Sequence, residues 1–164
     1  MRSLIDMIYE YQLLSGKERK LDIALDDDER VRRMGLFRLL QGEVPDTRNR
    51  RFARAQLRMS VQFTRPGGFE SGETRDLSGG GFCIATPKPP EPGTRLVVRV
   101  AEPAAGTEYV FPCRVVWRTR RGPARMGVEI DGVPHCADFF GDETTGVWRR
   151  SVRFGGDRDE PLVA

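Results

Sequence analysis

The fold is decided by a stretch in which apolar and polar residues alternate, Leu57-Arg58-Met59-Ser60-Val61-Gln62-Phe63. Alternation with a period of two is typical of a β-strand with one buried face. Similar stretches follow downstream, and they predict further strands over residues 69–77, 82–85, 94–101, 109–117 and 126–130. Six short strands separated by glycine- and proline-rich turns, with no long helical pattern between them, predict a mainly β fold that is a small antiparallel barrel or sandwich.

Two segments before this region have helical periodicity. Residues 3–15 carry apolar side chains at helical spacing, and residues 26–41 predict a second helix. Asp26 and Glu29 have the spacing of a capping box, and Gly42 can end the helix. We predict an apolar stripe of Val31, Met34, Phe37 and Leu40. A hairpin of this size does not fold alone, so the stripe packs either on the rest of the chain or on a second copy, which would make a homodimer.

These patterns divide the chain into four parts. We predict an N-terminal helical segment over residues 1–42, a linker over 43–49, a β domain over 50–140 and a C-terminal tail over 141–164. Within the β domain, residues 133–140 predict a short closing helix. The linker is indicated by turn-forming residues such as Pro45 and Asp46.

Composition excludes several classes of protein. In 164 residues, of which 31% are charged, no apolar run approaches the ~20 residues of a membrane span. The first apolar stretch contains Asp6 and Glu10, which a signal peptide does not tolerate, so we expect a cytoplasmic protein. The three cysteines are widely spaced and His135 is the only histidine, so we expect reduced thiols and neither a metal nor a cofactor.

A catalytic interpretation fails for lack of the necessary groups. The one histidine follows a proline near the end of the β domain. The chain has no nucleophile elbow, no paired metal-binding histidines and no phosphate-binding lysine after a glycine run. We therefore expect a binding protein and not an enzyme.

Positive charge is concentrated in the stretch Arg50-Arg51-Phe52-Ala53-Arg54. Residues 48–58 hold five arginines and no acid, whereas residues 1–47 hold eight basic against ten acidic residues. Guanidinium groups bind phosphates and the O6/N7 edge of guanine. A solvated charged face and non-specific nucleic-acid binding are the alternatives, and the near-neutral remainder of the chain gives the second little support.

A second stretch, Asp76-Leu77-Ser78-Gly79-Gly80-Gly81, lies 22 residues downstream of the first. Its residue types are typical of a hairpin turn. They also suit a ligand, because a carboxylate and a hydroxyl accept guanine N–H groups and glycines let the backbone approach closely. Asp76 and Ser78 are two residues apart at a strand end, so we expect them on the same side. The two stretches together predict a site for a guanine nucleotide with more than one phosphate.

The two stretches resemble the signature of the PilZ domain family, which is RxxxR followed by [D/N]xSxxG. Arg50 and Arg54 match the first motif, and Asp76, Ser78 and Gly81 match the second in the same order. The resemblance covers about residues 48–135. It implies a six-stranded antiparallel split barrel of the kind found in bacterial receptors for cyclic di-GMP.

The resemblance also implies roles for these residues. Arg50 and Arg54 would contact the phosphates and guanines of cyclic di-GMP. Asp76, Ser78 and Gly81 would bind the guanine edge from the barrel, with Arg48, Arg51 and Arg75 as candidates for additional contacts. In the family, the residue before RxxxR influences whether one or two ligand molecules bind; here it is Asn49.

The function that follows is a ligand-gated adaptor. We expect residues 43–54 to be mobile without ligand, because their arginines repel one another, and to become ordered on the barrel when cyclic di-GMP binds. The change would reorient the helical segment and either expose or hide a surface for an unidentified protein partner. The alternative is a protein-interaction module with the same barrel and no ligand. We expect no nucleic-acid partner.

Overall fold

The computed structural model describes residues 2–42, 50–141 and 148–153 of the chain. Residues 43–49, where the linker is predicted, lie outside the described residues. The described part contains helices α1 (Leu4–Lys20) and α2 (Asp27–Gln41), followed by strands β1 (Ser60–Arg65), β2 (Gly68–Ser78), β3 (Gly81–Ala85), β4 (Arg95–Glu102), β5 (Thr107–Thr119), β6 (Arg125–Ile130), β7 (His135–Gly141) and β8 (Trp148–Arg153). A single 3-10 turn, Pro103–Ala105, separates β4 from β5.

Six of the strands close into an antiparallel barrel. Their order is β4-β1-β2-β3-β6-β5, and β4 pairs again with β5 to complete the circle. The barrel interior contains fully buried side chains from every part of the circle, including Phe63, Ile84, Val98, Phe111 and Met126. The predicted six-stranded barrel is therefore confirmed.

The predicted closing helix over residues 133–140 is wrong. The segment His135–Gly141 is strand β7, which pairs antiparallel with residues 107–110 of β5. Strand β6 pairs only with residues 113–119 of that long strand, so a free edge remains beyond it. An extended chain satisfies the backbone groups of this edge, which a helix cannot do. Strand β8 then pairs with β7 and lies within the region predicted as a tail; residues 142–147 and 154–164 are outside the described residues.

The helical hairpin packs on the barrel through α1. The rings of Tyr9 and Tyr109 lie 5.3 Å apart between centroids, which joins α1 to β5. Gly16 allows close approach, because a Cβ at this position would lie 3.0 Å from a methyl group of Val133. Helix α2 packs against α1, so the hairpin is stabilised within one chain. The homodimer stays a prediction.

The predicted capping box is present in α2. The backbone N–H of Glu29 donates to the Asp26 carboxylate at 2.8 Å, and the Glu29 side chain accepts from the Asp26 N–H at 3.2 Å. This reciprocal pair satisfies two N–H groups that a helix start leaves without partners.

The predicted apolar stripe of α2 is wrong in its first half. Val31 and Met34 are 67% and 51% exposed, whereas Leu36 and Leu40 are buried. Leu36 follows Val31 by five residues, which is about 140° around a helix of 3.6 residues per turn. The face that meets α1 is therefore set by Leu36 and Leu40, with Phe37 at its edge.

The described residues give two further findings. Neither helix in this part of the chain has the length and apolar character needed to cross a bilayer. Cys83 and Cys113 are buried as core residues, Cys136 is half-buried, and all three are free thiols.

Candidate ligand-binding site

The arginine segment, residues 50–55, is joined to the end of β2 by backbone hydrogen bonds. The N–H of Ala55 donates to the carbonyl of Leu77 at 2.8 Å, and the N–H of Leu77 donates back at 2.9 Å. Leu77 lies between Asp76 and Ser78. This short antiparallel bridge therefore brings together two motifs that are 22 residues apart in the sequence.

The arginine segment is also attached to the helical hairpin. The N–H of Ala53 donates to the carbonyl of Leu40 in the last turn of α2 at 3.0 Å. The ring of Phe52 meets two aromatic side chains of the helices edge-on, Tyr11 at 5.4 Å and Phe37 at 5.6 Å between centroids. The segment thus connects the helices to the barrel at the position of the motifs.

A cleft of about 160 Å³ lies beside the bridge, and four of the predicted site residues line it: Arg54, Asp76, Ser78 and Gly81. Arg54 is exposed and Asp76 is half-buried. Among residues 2–42, 50–141 and 148–153, neither of these two charged side chains forms an ion pair. A guanidinium donor and a carboxylate acceptor are therefore both available to one ligand.

A β-bulge in β2 directs Asp76 into this cleft. Thr74 and Leu77 both point into the barrel and are fully buried, although they are three residues apart. A regular strand cannot place such a pair on one face, and the register between β2 and β3 shifts at this point. The extra residue, Arg75, allows Asp76 and Ser78 to face outward together.

A second bulge brings an aromatic side chain that the sequence did not indicate. The alternation predicts that Trp117 shares the face of Val115, but the register with β6 shifts between these two residues. The indole instead covers Gly127 on the outer face of the barrel and borders the cleft. A possible signal in the sequence is the glycine itself, since any side chain at position 127 would overlap the indole.

Two residues of the second motif, Ser78 and Gly81, are needed for the structure of the turn itself. The Ser78 hydroxyl accepts from the N–H of Gly80 and donates to the carbonyl of Gly81, both at 3.3 Å. A Cβ at Gly81 would overlap the carbonyl oxygen of Val128 and lie 3.0 Å from the Cα of Glu129 in β6. The hairpin-turn interpretation of this stretch is thus correct, whatever the stretch binds.

The other predicted arginines either do not line the cleft or lie outside the described residues. Arg50 is exposed and does not line the cleft. Arg51 stacks its guanidinium over two phenylalanine rings at 5.7 and 5.8 Å, and Arg75 lies 3.7 Å from the carboxylate of Glu73. Arg48 is outside the described residues. The structure therefore brings Arg54 to the second motif, whereas Arg50 is not among the residues that line the cleft.

Below the cleft, Cys83 forms part of its floor. Burial raises the pKa of this thiol, and the negative charge of Asp76 adds to the effect, while the guanidinium groups of Arg125 and Arg54 act in the opposite direction. The thiol is therefore protonated at neutral pH and serves as an apolar surface.

Comparisons with family models and with solved structures both find similar proteins. A family model described as "PilZ domain" matches residues 48–137. A similar solved structure is described as the crystal structure of the PilZ domain of CeSA from a cellulose-synthesizing bacterium; it is 23% identical, covers 48% of this chain and 80% of that chain, and has a TM-score of 0.38. No curated protein matches the chain.

Proposed function

The chain belongs to the PilZ domain family, a family of cyclic di-GMP receptors. We therefore propose that it binds cyclic di-GMP in the cleft and that binding changes its interaction with a protein partner. The observation that carries this proposal is the pairing of Ala55 with Leu77. It brings Arg54 and Asp76 into the lining of one cleft, and neither side chain forms an ion pair with another described residue.

The chemistry of the cleft suits a guanine base attached to a phosphate. The Asp76 carboxylate accepts hydrogen bonds from the N1–H and N2–H groups of guanine, which adenine does not offer. Arg54 donates to a phosphate oxygen or to O6 and N7. The face of Trp117 offers a surface on which a base stacks. A cleft of about 160 Å³ accommodates one base edge, so we propose that the rest of the dinucleotide extends beyond the cleft and that Arg50 contacts it there.

We propose that the signal passes through the arginine segment. Its arginines repel one another, and a ligand with two phosphates relieves that repulsion. Because Ala53 and Ala55 are already held by backbone hydrogen bonds, the ligand acts on the side chains of Arg50 and Arg54 and on the chain before Ala53. Fixing this chain stabilises the last turn of α2 and changes the surface that the helical hairpin presents to a partner.

Calorimetric titration with cyclic di-GMP tests the ligand assignment. A hydrogen bond to a charged group contributes about 1.5–3 kcal/mol, so Arg54→Ala should weaken binding roughly tenfold to a hundredfold at about 1.4 kcal/mol per decade. Arg58→Ala is the matched control, because its side chain is 72% exposed and lies outside the cleft. Equal affinity of Arg54→Ala and wild type, with an unchanged circular dichroism spectrum, would overturn the assignment.

A second function, a protein-interaction module without ligand, is favoured by one observation. Ser78 closes the turn and Gly81 is required for packing on β6, so the barrel itself accounts for two of the three residues of the second motif. Thermal unfolding separates the two functions. A specific ligand at a hundred times its Kd stabilises the fold by about 2.7 kcal/mol, whereas a module of this second kind shows no change in Tm with cyclic di-GMP.

A further inference from the structure

A second concave surface lies elsewhere on the barrel and has a different character. This basic groove has a volume of about 840 Å³ and is formed by the end of β1, residues 87–91, the start of β4 and the turn between β5 and β6. It shares no lining residue with the cleft. Its size falls within the range of ligand-binding clefts in proteins.

The loop that forms one wall of the groove is fixed in place. Arg118 donates to the carbonyl of Pro89 at 3.1 Å, and Arg65 donates to the carbonyl of Lys88. Further along the loop, the N–H of Gly93 donates to the carbonyl of Val115 at 2.7 Å. A groove held in this way loses little conformational entropy when it binds.

The groove has an apolar floor and a positively charged rim. Pro89 and Pro90 are buried at its base, whereas Lys88, Arg95 and Arg120 are exposed around it. Counting all lining residues, five are basic and only one is acidic, Glu91, whose side chain is 80% exposed. The surface therefore complements negative charge next to an apolar group.

Two of the basic side chains are available for a partner. Among the described residues, Lys88 and Arg120 form no ion pair, and the contact between Arg95 and Asp131 is long, at 3.6 Å, with the arginine 77% exposed. Such an exposed contact contributes little and is readily exchanged for a better carboxylate.

We propose that the basic groove docks an acidic, extended peptide segment of a partner protein, with an apolar side chain on the proline floor and carboxylates on the rim. Four of the lining residues are prolines, which have no backbone N–H to offer to a phosphate. None of the described residues that line it is aromatic, so it offers no stacking surface to single-stranded nucleic acid. Guanidinium and ammonium groups above an apolar floor fit side-chain carboxylates better. The inference holds whether or not the cleft binds cyclic di-GMP.

Fluorescence anisotropy tests the proposal with a labelled dodecapeptide made of four Asp-Glu-Leu repeats. We expect wild type to bind this probe, and we expect Lys88→Glu/Arg120→Glu to weaken binding at least tenfold. The control, Arg19→Glu/Arg38→Glu, makes the same change in net charge on exposed helical positions and should bind like wild type. Amide chemical shifts in a two-dimensional NMR titration should move at Thr94, Arg95 and Arg120, and an excess of unlabelled cyclic di-GMP should not displace the peptide.

Three outcomes would overturn the proposal. Equal loss of binding in both double variants would mean that only net charge matters. Tighter binding of a twelve-nucleotide oligothymidine, with the same sensitivity to Lys88→Glu/Arg120→Glu, would assign the groove to nucleic acid. Displacement of the peptide by cyclic di-GMP would place the peptide in the cleft.

Discussion

Gly81 lies where the second motif of the site meets strand β6, and its missing side chain allows the two backbones to approach. A Cβ there would overlap the carbonyl oxygen of Val128, which belongs to a hydrogen-bonded strand and cannot move aside. The neighbouring Gly80 differs, because a Cβ at that position would lie 3.5 Å from the nearest atom of Phe52, an ordinary contact.

We therefore expect Gly81→Ala to lower the free energy of unfolding by about 1–3 kcal/mol or more, as overpacking does. Gly80→Ala should stay within about 0.5 kcal/mol of wild type. Urea denaturation without ligand measures both. Equal stability of the two variants would mean that β3 and β6 adjust to the added methyl group, and Gly81 would then have to be explained by ligand binding alone.

Asp76 gives a prediction about specificity. Asp76→Asn keeps the size of the side chain but loses the charge and replaces one acceptor by a donor. We expect binding of cyclic di-GMP to weaken about tenfold or more, since hydrogen bonds to charged groups contribute about 1.5–3 kcal/mol. Binding of cyclic di-AMP should change little, so the difference between the two dinucleotides narrows. Calorimetry with both ligands measures it.

Glu73→Gln is the control for this substitution, because Glu73 is a 45% exposed carboxylate on the same strand and outside the cleft. A parallel loss in both variants would indicate a long-range charge effect. An unchanged preference for guanine in Asp76→Asn would remove Asp76 from the site.

The sequence was sufficient to predict that Arg54 and Asp76 contribute to one site but not to place Trp117. The first placement follows from two local motifs and from their resemblance to the PilZ signature. The second depends on a bulge in β5, which arises from how β5 and β6 pair and leaves no periodic signal in the chain. The sequence therefore predicted the part of the cleft that Arg54 and Asp76 form, but not the part that Trp117 forms.

At the scale of the helices, the sequence predicted both helices and the capping box but assigned two exposed residues, Val31 and Met34, to the buried face of α2. Caps depend on neighbouring residues, whereas the buried face depends on which side meets α1. In α2 both faces carry apolar residues, Val31 and Met34 on one and Leu36 and Leu40 on the other. Periodicity alone cannot decide between them.

Two sets of substitutions on α2 test its orientation. Leu36→Ala should cost about 2–5 kcal/mol of stability, as for other buried leucines. Val31→Gln/Met34→Gln should cost less than about 1 kcal/mol, because both side chains are more than half exposed and glutamine forms helices well. Denaturation at two protein concentrations measures both effects. A large, concentration-dependent loss in the double variant would instead show that a second copy of the chain covers this face.

Strand β7 shows a second reason why the sequence did not predict every element correctly. Its sequence was assigned to a helix, yet residues 135–138 pair with the exposed edge of β5. That edge exists because β5 extends beyond its partner β6, a property of two strands that are distant in the sequence from β7. Local propensity is overridden whenever a neighbouring edge needs hydrogen bonds.

At the scale of the whole molecule, the arginine segment connects the helical hairpin to the barrel. On one side Ala53 is bonded to α2, and on the other Ala55 is bonded to β2. Immediately before Ala53, Phe52 contacts both helices and the turn of the second motif, where its ring lies 2.6 Å from the position that a Cβ on Gly79 would occupy. A ligand that binds Arg50 and Arg54 therefore also affects Phe52, which lies between them in the sequence.

Phe52→Ala should separate ligand binding from the response of the helices. Arg50 and Arg54 remain, so cyclic di-GMP should bind within about tenfold of wild type. In wild type we expect the ligand to slow hydrogen exchange at the amides of residues 36–41, and we expect this protection to be lost in the variant. Phe52→Leu, which keeps an apolar contact, should retain part of it, and Phe69→Ala, on an exposed ring of β2, should behave like wild type. Full ligand-dependent protection in Phe52→Ala would show that the helices respond by another route, because the one aromatic contact between the segment and both helices would then be dispensable.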